Sequence, residues 1–134
     1  MTTSSTGAYR TRMKLTLDAN PSVNLIRSYS LHEVRVGDQV LHRSCIITPE
    51  TVIADWRPAT VEDLVADDFT ALFAAKPELV LLGTGATQRF APAAIRSTFA
   101  KAGVALEAMD LGAACRTFNV LVQEERRACA ALLF

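Results

Sequence analysis

The chain has 134 residues, half of them hydrophobic, with 14 basic and 14 acidic side chains and a formal net charge of zero. That is the size of one domain with a core of its own, and balanced charge excludes nucleic acid or an anionic membrane surface as the principal partner, because both are held by surplus Lys and Arg. The three cysteines, Cys45, Cys115 and Cys129, are odd in number and match neither C-x-x-C nor a zinc spacing, which fits a reducing cytosol and a cytoplasmic protein.

Residues 1–22 begin M-T-T-S-S-T-G-A-Y-R-T-R, a polar stretch without the apolar segment of a secretory signal. They read as a flexible N-terminal tail, and 23–134 read as a single α/β domain. No apolar run approaches the roughly 18 residues of a membrane-spanning helix, so no integral membrane segment is expected. Residues 24–55 have the texture of strands. Glu33-Val34-Arg35-Val36, Gly37-Asp38 and Gln39-Val40-Leu41-His42 spell a hairpin, since Gly first in a two-residue loop suits a type II′ turn. Cys45-Ile46-Ile47 and Thr51-Val52-Ile53 are short strands about a turn at Pro49-Glu50. Thr60 with Asp63 three positions on has the form of a helix start. A second helical piece carries Phe69, Leu72 and Phe73 and ends before Pro77.

Glu78-Leu79-Val80-Leu81-Leu82 reads as a continuous apolar strand, the pattern of a central strand covered on both faces. Pro92 fits the first position of the next helix. Ile95, Phe99 and Ala102 form its apolar stripe, and Gly103 fits its stop. A strand over 104–109, a helix over about 111–124 and a final apolar strand over 128–134 complete a β-α-β-α-β second half. The fold class is α/β: a three-layer domain with helices on the faces of its sheet and an additional antiparallel β hairpin from the N-terminal half.

Two stretches carry candidate chemistry. Gly83-Thr84-Gly85-Ala86-Thr87-Gln88 lies between a strand and a helix, where a dinucleotide fingerprint would stand, but Gln88 replaces its third glycine and no P-loop Gly-Lys follows. It is either a tight turn needing backbone freedom or a ligand or partner loop at the carboxyl end of the sheet. In the helix from Leu111, the stripe Leu111, Ala114, Cys115, Phe118, Leu121 and Val122 is apolar, which makes Cys115 a packed thiol. Arg116 and Asn119 fall on another side, and Asp110 fits the N-cap. Right-handed crossovers would bring Arg116 to the same sheet edge as Gly83 and Gly85. His32 and His42 lack metal-ligand spacing, and no acid pair stands out for general acid–base work.

Pro77-Glu78-Leu79-Val80-Leu81-Leu82-Gly83-Thr84-Gly85, together with Pro92, Met109-Asp110 and Ala113-Ala114-Cys115-Arg116-Thr117-Phe118-Asn119-Val120-Leu121, resembles a family of proteins of unknown function. That family includes the mitochondrial complex I (NADH dehydrogenase) assembly factor 3 and an adipogenesis-associated cytosolic protein, and the chain resembles its bacterial members. The resemblance implies a mixed central sheet, and neither established catalytic residues nor a cofactor. Two functional expectations follow. One is a non-catalytic interaction domain with a protein partner, such as a subunit or assembly factor of a respiratory or other membrane-bound complex. The other is a binder or enzyme of a small anionic metabolite. In either case the site residues are Gly83, Thr84, Gly85, Arg116 and Asn119.

Overall fold

The computed structural model describes residues 23–134, and the expectation of a flexible tail over 1–22 lies outside the described residues. Two sheets organise the chain. The strands β1 (Ile26–Tyr29), β2 (Val34–Val36) and β3 (Gln39–Leu41) form an antiparallel sheet in that order. The N-terminal hairpin is therefore two arms of three. Gly37 takes φ +58 at the first loop position, as a type II′ turn requires, and Val36 pairs with Gln39 beside it.

The central sheet is five-stranded and mixed. It contains β4 (Cys45–Ile47), β5 (Val52–Ile53), β6 (Leu79–Gly83), β7 (Ala105–Met109) and β8 (Ala128–Leu132), in the order β5-β4-β8-β6-β7. β6 is parallel to both β7 and β8, while β4 runs antiparallel to β8 and to β5. Successive residues of β6 and β8 are buried on opposite faces: Leu81, Ala130 and Leu132 on one, Val80, Leu82, Cys129 and Ala131 on the other. This double burial is why their sequences read as unbroken apolar runs.

Helices α2 (Ala93–Ala102) and α3 (Leu111–Gln123) connect the parallel strands and lie on opposite faces. The chain steps from β6 outward to β7 and then back across β6 to β8, so crossovers of one hand must alternate faces. α3 buries Leu111, Ala114, Cys115, Phe118 and Val122, with the small antiparallel sheet packed over the same core through Ile26, Val34, Val36 and Leu41. α2 buries Ile95 and Phe99 beside Trp56, Phe69 and Leu72. Ala102, read as the third member of its stripe, is exposed.

Several local expectations shift. Pro92 caps α2 from outside the helix (ψ 151°) instead of opening it. The helix start at Thr60 is a single 3₁₀ turn, Val61–Asp63, stabilised by the Asp63 carboxylate accepting from the amides of Ala59 and Thr60. A second 3₁₀ turn, Ala66–Phe69, runs into the short α1 (Thr70–Ala74). Helix propagation fails here because each piece has barely one turn of buried contacts to offset nucleation. Gly103 stops α2 in the left-handed region at φ +71.

Candidate functional site

The loop after β6 and the start of α3 meet where the two crossovers diverge to opposite faces. In open α/β sheets that divergence opens a crevice at the carboxyl ends of the strands. Leu111 donates its N–H to the Gly85 carbonyl (2.8 Å), and Thr84 donates its N–H to the Met109 carbonyl (2.8 Å), stitching the two connections together. Asp110 caps α3, accepting from the Ala113 amide at 2.9 Å. This satisfies one of the amides a helix start leaves over.

The five residues expected at the site divide by role. Gly83 is buried in packing: a Cβ there would stand 2.9 Å from Leu132 Cδ2 and 3.2 Å from Ala114 Cβ. It lets α3 lie close on β6. Thr84 is buried too, and its hydroxyl accepts from the Arg89 amide (3.0 Å) and lies 2.7 Å from the Thr87 carbonyl. Thr84 thus shapes the loop from within. Gly85, at φ +86, turns the chain outward in a conformation that suits glycine. Asn119 uses its amide as a strand would: Oδ1 accepts from the Ile26 N–H and Nδ2 donates to the Ile26 carbonyl, both at 2.8 Å. That clasp ties β1 to α3.

Arg116 is exposed, one turn nearer the helix start. Its Nη1 donates to the Tyr29 hydroxyl at 2.5 Å. Because that oxygen accepts, the phenolic proton remains available to another acceptor. Five arginines form ion pairs among the described residues, Arg43, Arg57, Arg89, Arg126 and Arg127, and Arg116 is not among them. A cleft of about 290 Å³ opens beside it, lined by Tyr29, Ser30, Leu31, Gly85, Ala86, Asp110, Leu111, Gly112 and Arg116. The structure thus brings Gly85 and Arg116 to one cleft, and places Gly83, Thr84 and Asn119 behind it as its frame.

Tyr29 is a lining residue that sequence reasoning passed over, and it packs on Gly112, at the helix start where the sequence points only to an Asp110 cap. A Cβ at Gly112 would stand 2.9 Å from Tyr29 Cε1 and 3.1 Å from Arg116 Nη1. The bare helix surface there is what admits the tyrosine ring. Tyr29 is distant in sequence from everything it touches on α3. A glycine near the start of a helix, where Ala is favoured, was the one local signal that something packs close.

The thiols contribute no nucleophile to this cleft. Cys115 is buried, and burial pushes its pKa up to about 12. Burial, and then the neighbouring Cys115, do the same to Cys45. A thiol held protonated and out of solvent is inert. No group of three metal-ligating side chains occurs among the described residues. A second depression, about 240 Å³, lies between residues 39–43 and Ala54-Asp55 and holds none of the expected residues.

Comparison with known proteins agrees with this architecture. The family model for a protein of unknown function (DUF498/DUF598) matches residues 26–133. NADH dehydrogenase (ubiquinone) 1 alpha subcomplex assembly factor 3 from Bos taurus is 32% identical over 127 residues, spanning 92% of this chain and 68% of its own length. A crystal structure of a protein from Bordetella parapertussis superposes with a TM-score of 0.78 at 32% identity, covering 84% of this chain and 96% of that one. A solution structure from Bordetella pertussis, described as an Mth938-like domain, has a TM-score of 0.75 at 28% identity, covering 90% and 92%. The family resemblance read from residues 77–85 and 109–121 and the α/β fold class are both borne out.

Proposed function

The chain belongs to the DUF498/DUF598 family of proteins of unknown function, and from that membership we propose that it is a non-catalytic interaction domain that helps assemble a respiratory or other membrane-bound complex. The observation that carries the reading is the cleft at the diverging crossovers. There an exposed arginine without an ion pair among the described residues stands beside Tyr29 and Leu31, whose side chains are large and exposed. Interfaces are enriched in such aromatic and Arg anchors. The kinship with an assembly factor that spans most of the chain supports the choice of partner class. Among the described residues no helix is long and apolar enough to cross a membrane.

Binding of a small anionic metabolite is the second reading, favoured by the convergence of the Arg116 guanidinium and the Tyr29 hydroxyl. The cleft's volume, about 290 Å³, is at the lower end of the roughly 300–1,000 Å³ usual for small-molecule pockets.

The test is a pull-down of the tagged full chain from its native cell, compared with Arg116→Ala. Recovery of subunits of a membrane-bound complex with the unsubstituted chain, reduced about tenfold or more in Arg116→Ala at equal stability, is the expected result. Unchanged recovery would remove the cleft from the interaction. A thermal shift with a metabolite and none with any protein partner would favour the second reading.

A further inference from the structure

We infer that the cleft between β1 and the start of α3 captures the C-terminal carboxylate of a partner polypeptide, laid against the outer edge of β1. The inference rests on the interaction reading above and specifies its chemistry.

The edge of β1 comes first. Ser30 donates its N–H to the Glu33 carbonyl (2.8 Å) across the turn, and Tyr29 stands opposite Val34 in the register. Hydrogen-bonded and non-hydrogen-bonded pairs alternate along an antiparallel ladder. Tyr29 therefore occupies a position without ladder bonds, and its own N–H and C=O point away from β2. Three residues earlier the outward edge is already taken, because the Asn119 amide satisfies both main-chain groups of Ile26. A strand added to this edge has room at Tyr29 and no room to continue past Asn119. The geometry admits an end of chain and excludes a segment running through.

The charge distribution then says which end. The Arg116 guanidinium spends one N–H on the Tyr29 oxygen, leaving other donors of its planar fork for an oxyanion. The Tyr29 proton adds a donor beside it. A chain terminus presenting a carboxylate meets these donors; an ammonium terminus would meet the Arg116 charge, while the Asp110 carboxylate in the same cleft is already engaged by the Ala113 amide. Asp110 lines the same cleft, so a second negative charge is disfavoured there. This selects a monoanionic carboxylate over a phosphate dianion. Leu31, 53% exposed at the rim, offers an apolar surface to the terminal side chain. Capture of a terminal carboxylate and strand addition at an open edge are both established modes of peptide recognition.

The experiment follows the amide NMR signals of the isotope-labelled full chain during titration with acetylated tripeptides ending in Leu, Phe or Ala. Each is used as the free carboxylate and as the C-terminal amide, with inorganic phosphate as a third probe. Saturable shifts at Tyr29, Leu31 and Gly112 are expected with at least one carboxylate. Loss of its carboxylate charge should weaken binding about tenfold, as should Arg116→Ala, because a hydrogen bond to a charged group is removed. Arg116→Lys should lose less, and Tyr29→Phe a few-fold. Gly112→Ala should weaken binding with the melting temperature maintained, since its Cβ would stand 2.9 Å from the Tyr29 ring and 3.1 Å from Arg116 Nη1. Equal binding of carboxylate and amide, tighter binding of phosphate than of any peptide, or no saturable shift at millimolar peptide would overturn the inference. If the peptides fail while the pull-down remains dependent on Arg116, the carboxylate is wrong and the interaction reading stands. If the peptides bind and the pull-down ignores Arg116, the cleft chemistry is right and the assembly reading falls.

Discussion

On one face of the central sheet the core is closed by rings. Phe69 meets Trp56 edge-on at 5.5 Å and Phe99 at 5.0 Å, and Phe73 lies 4.9 Å from Phe99. On the other face α3 is covered by a small sheet whose outer strand is fastened by the two polar clasps that Asn119 makes to the Ile26 main chain, with the exposed Arg116–Tyr29 contact beyond them. The difference concerns what each kind of contact can seal. Apolar packing is non-directional and fills space until none is left. A hydrogen bond fixes two surfaces at one distance and direction, and where the clasps end the surfaces part. The cleft lies at that parting.

Four measurements bear on this contrast. Phe69→Ala should be the most damaging, because Phe69 is fully buried between Trp56 and Phe99. A loss of about 3–5 kcal/mol in denaturant unfolding is expected for such a cavity. A loss below about 1 kcal/mol would mean that the ring face is less tightly sealed than its geometry indicates.

Alkaline pH acts on both faces. Burial raises the pKa of Cys45 and Cys115 to about 12 and that of Cys129 to about 11. Unfolded thiols ionise near pH 8.5, so the folded state holds more protons than the unfolded one above that pH. The stability is present below pH 8.5 and falls as pH rises towards the folded values, by about 1.4 kcal/mol per pH unit for each thiol. Cys115→Ala should flatten the slope by one thiol's share. A slope equal to that of the unsubstituted chain would contradict the burial of Cys115.

Asn119→Ala strips both partners from the Ile26 main chain. It should cost about 1–3 kcal/mol, with amide exchange accelerated first in β1. Uniform acceleration across both cores would show that Asn119 is not a local clasp. Arg116→Ala should change stability least, within about 0.5 kcal/mol, because its one contact is exposed. Should it destabilise the fold as much as Asn119→Ala, Arg116 would be a second structural clasp and not a residue kept for binding.

The sequence was most readable where burial is dense and local periodicity strong. The apolar runs of β6 and β8 and the stripe on α3 identified their elements directly, as did Gly103 and the Gly37 turn. It was least readable where short pieces depend on neighbours. The single 3₁₀ turn after Thr60 has a sound start signal and too few buried contacts to go further. Residues 26–29 were strand-like, yet nothing local separated β1 from the hairpin that follows. At the site, right-handed crossovers alone bring Arg116 and Gly85 to one sheet edge. The assignment of Asn119 to the same surface missed that its amide would be consumed by Ile26, 93 residues away.

By itself the sequence determined the α/β class, the order of elements from β6 to β8, the packed cysteine, the capping aspartate and the family. These follow from periods of two and 3.6 residues, from capping chemistry and from local segments, all written within a few positions of one another. Only the tertiary structure decided that Tyr29 is the companion of Arg116, 87 positions away, that Gly112 is bare to admit its ring, and that three of the five expected residues frame the cleft while two line it. Those outcomes depend on which strand is laid over α3 and in what register. Residues facing each other across that seam obey no common periodicity, so a linear pattern carries no trace of the pairing.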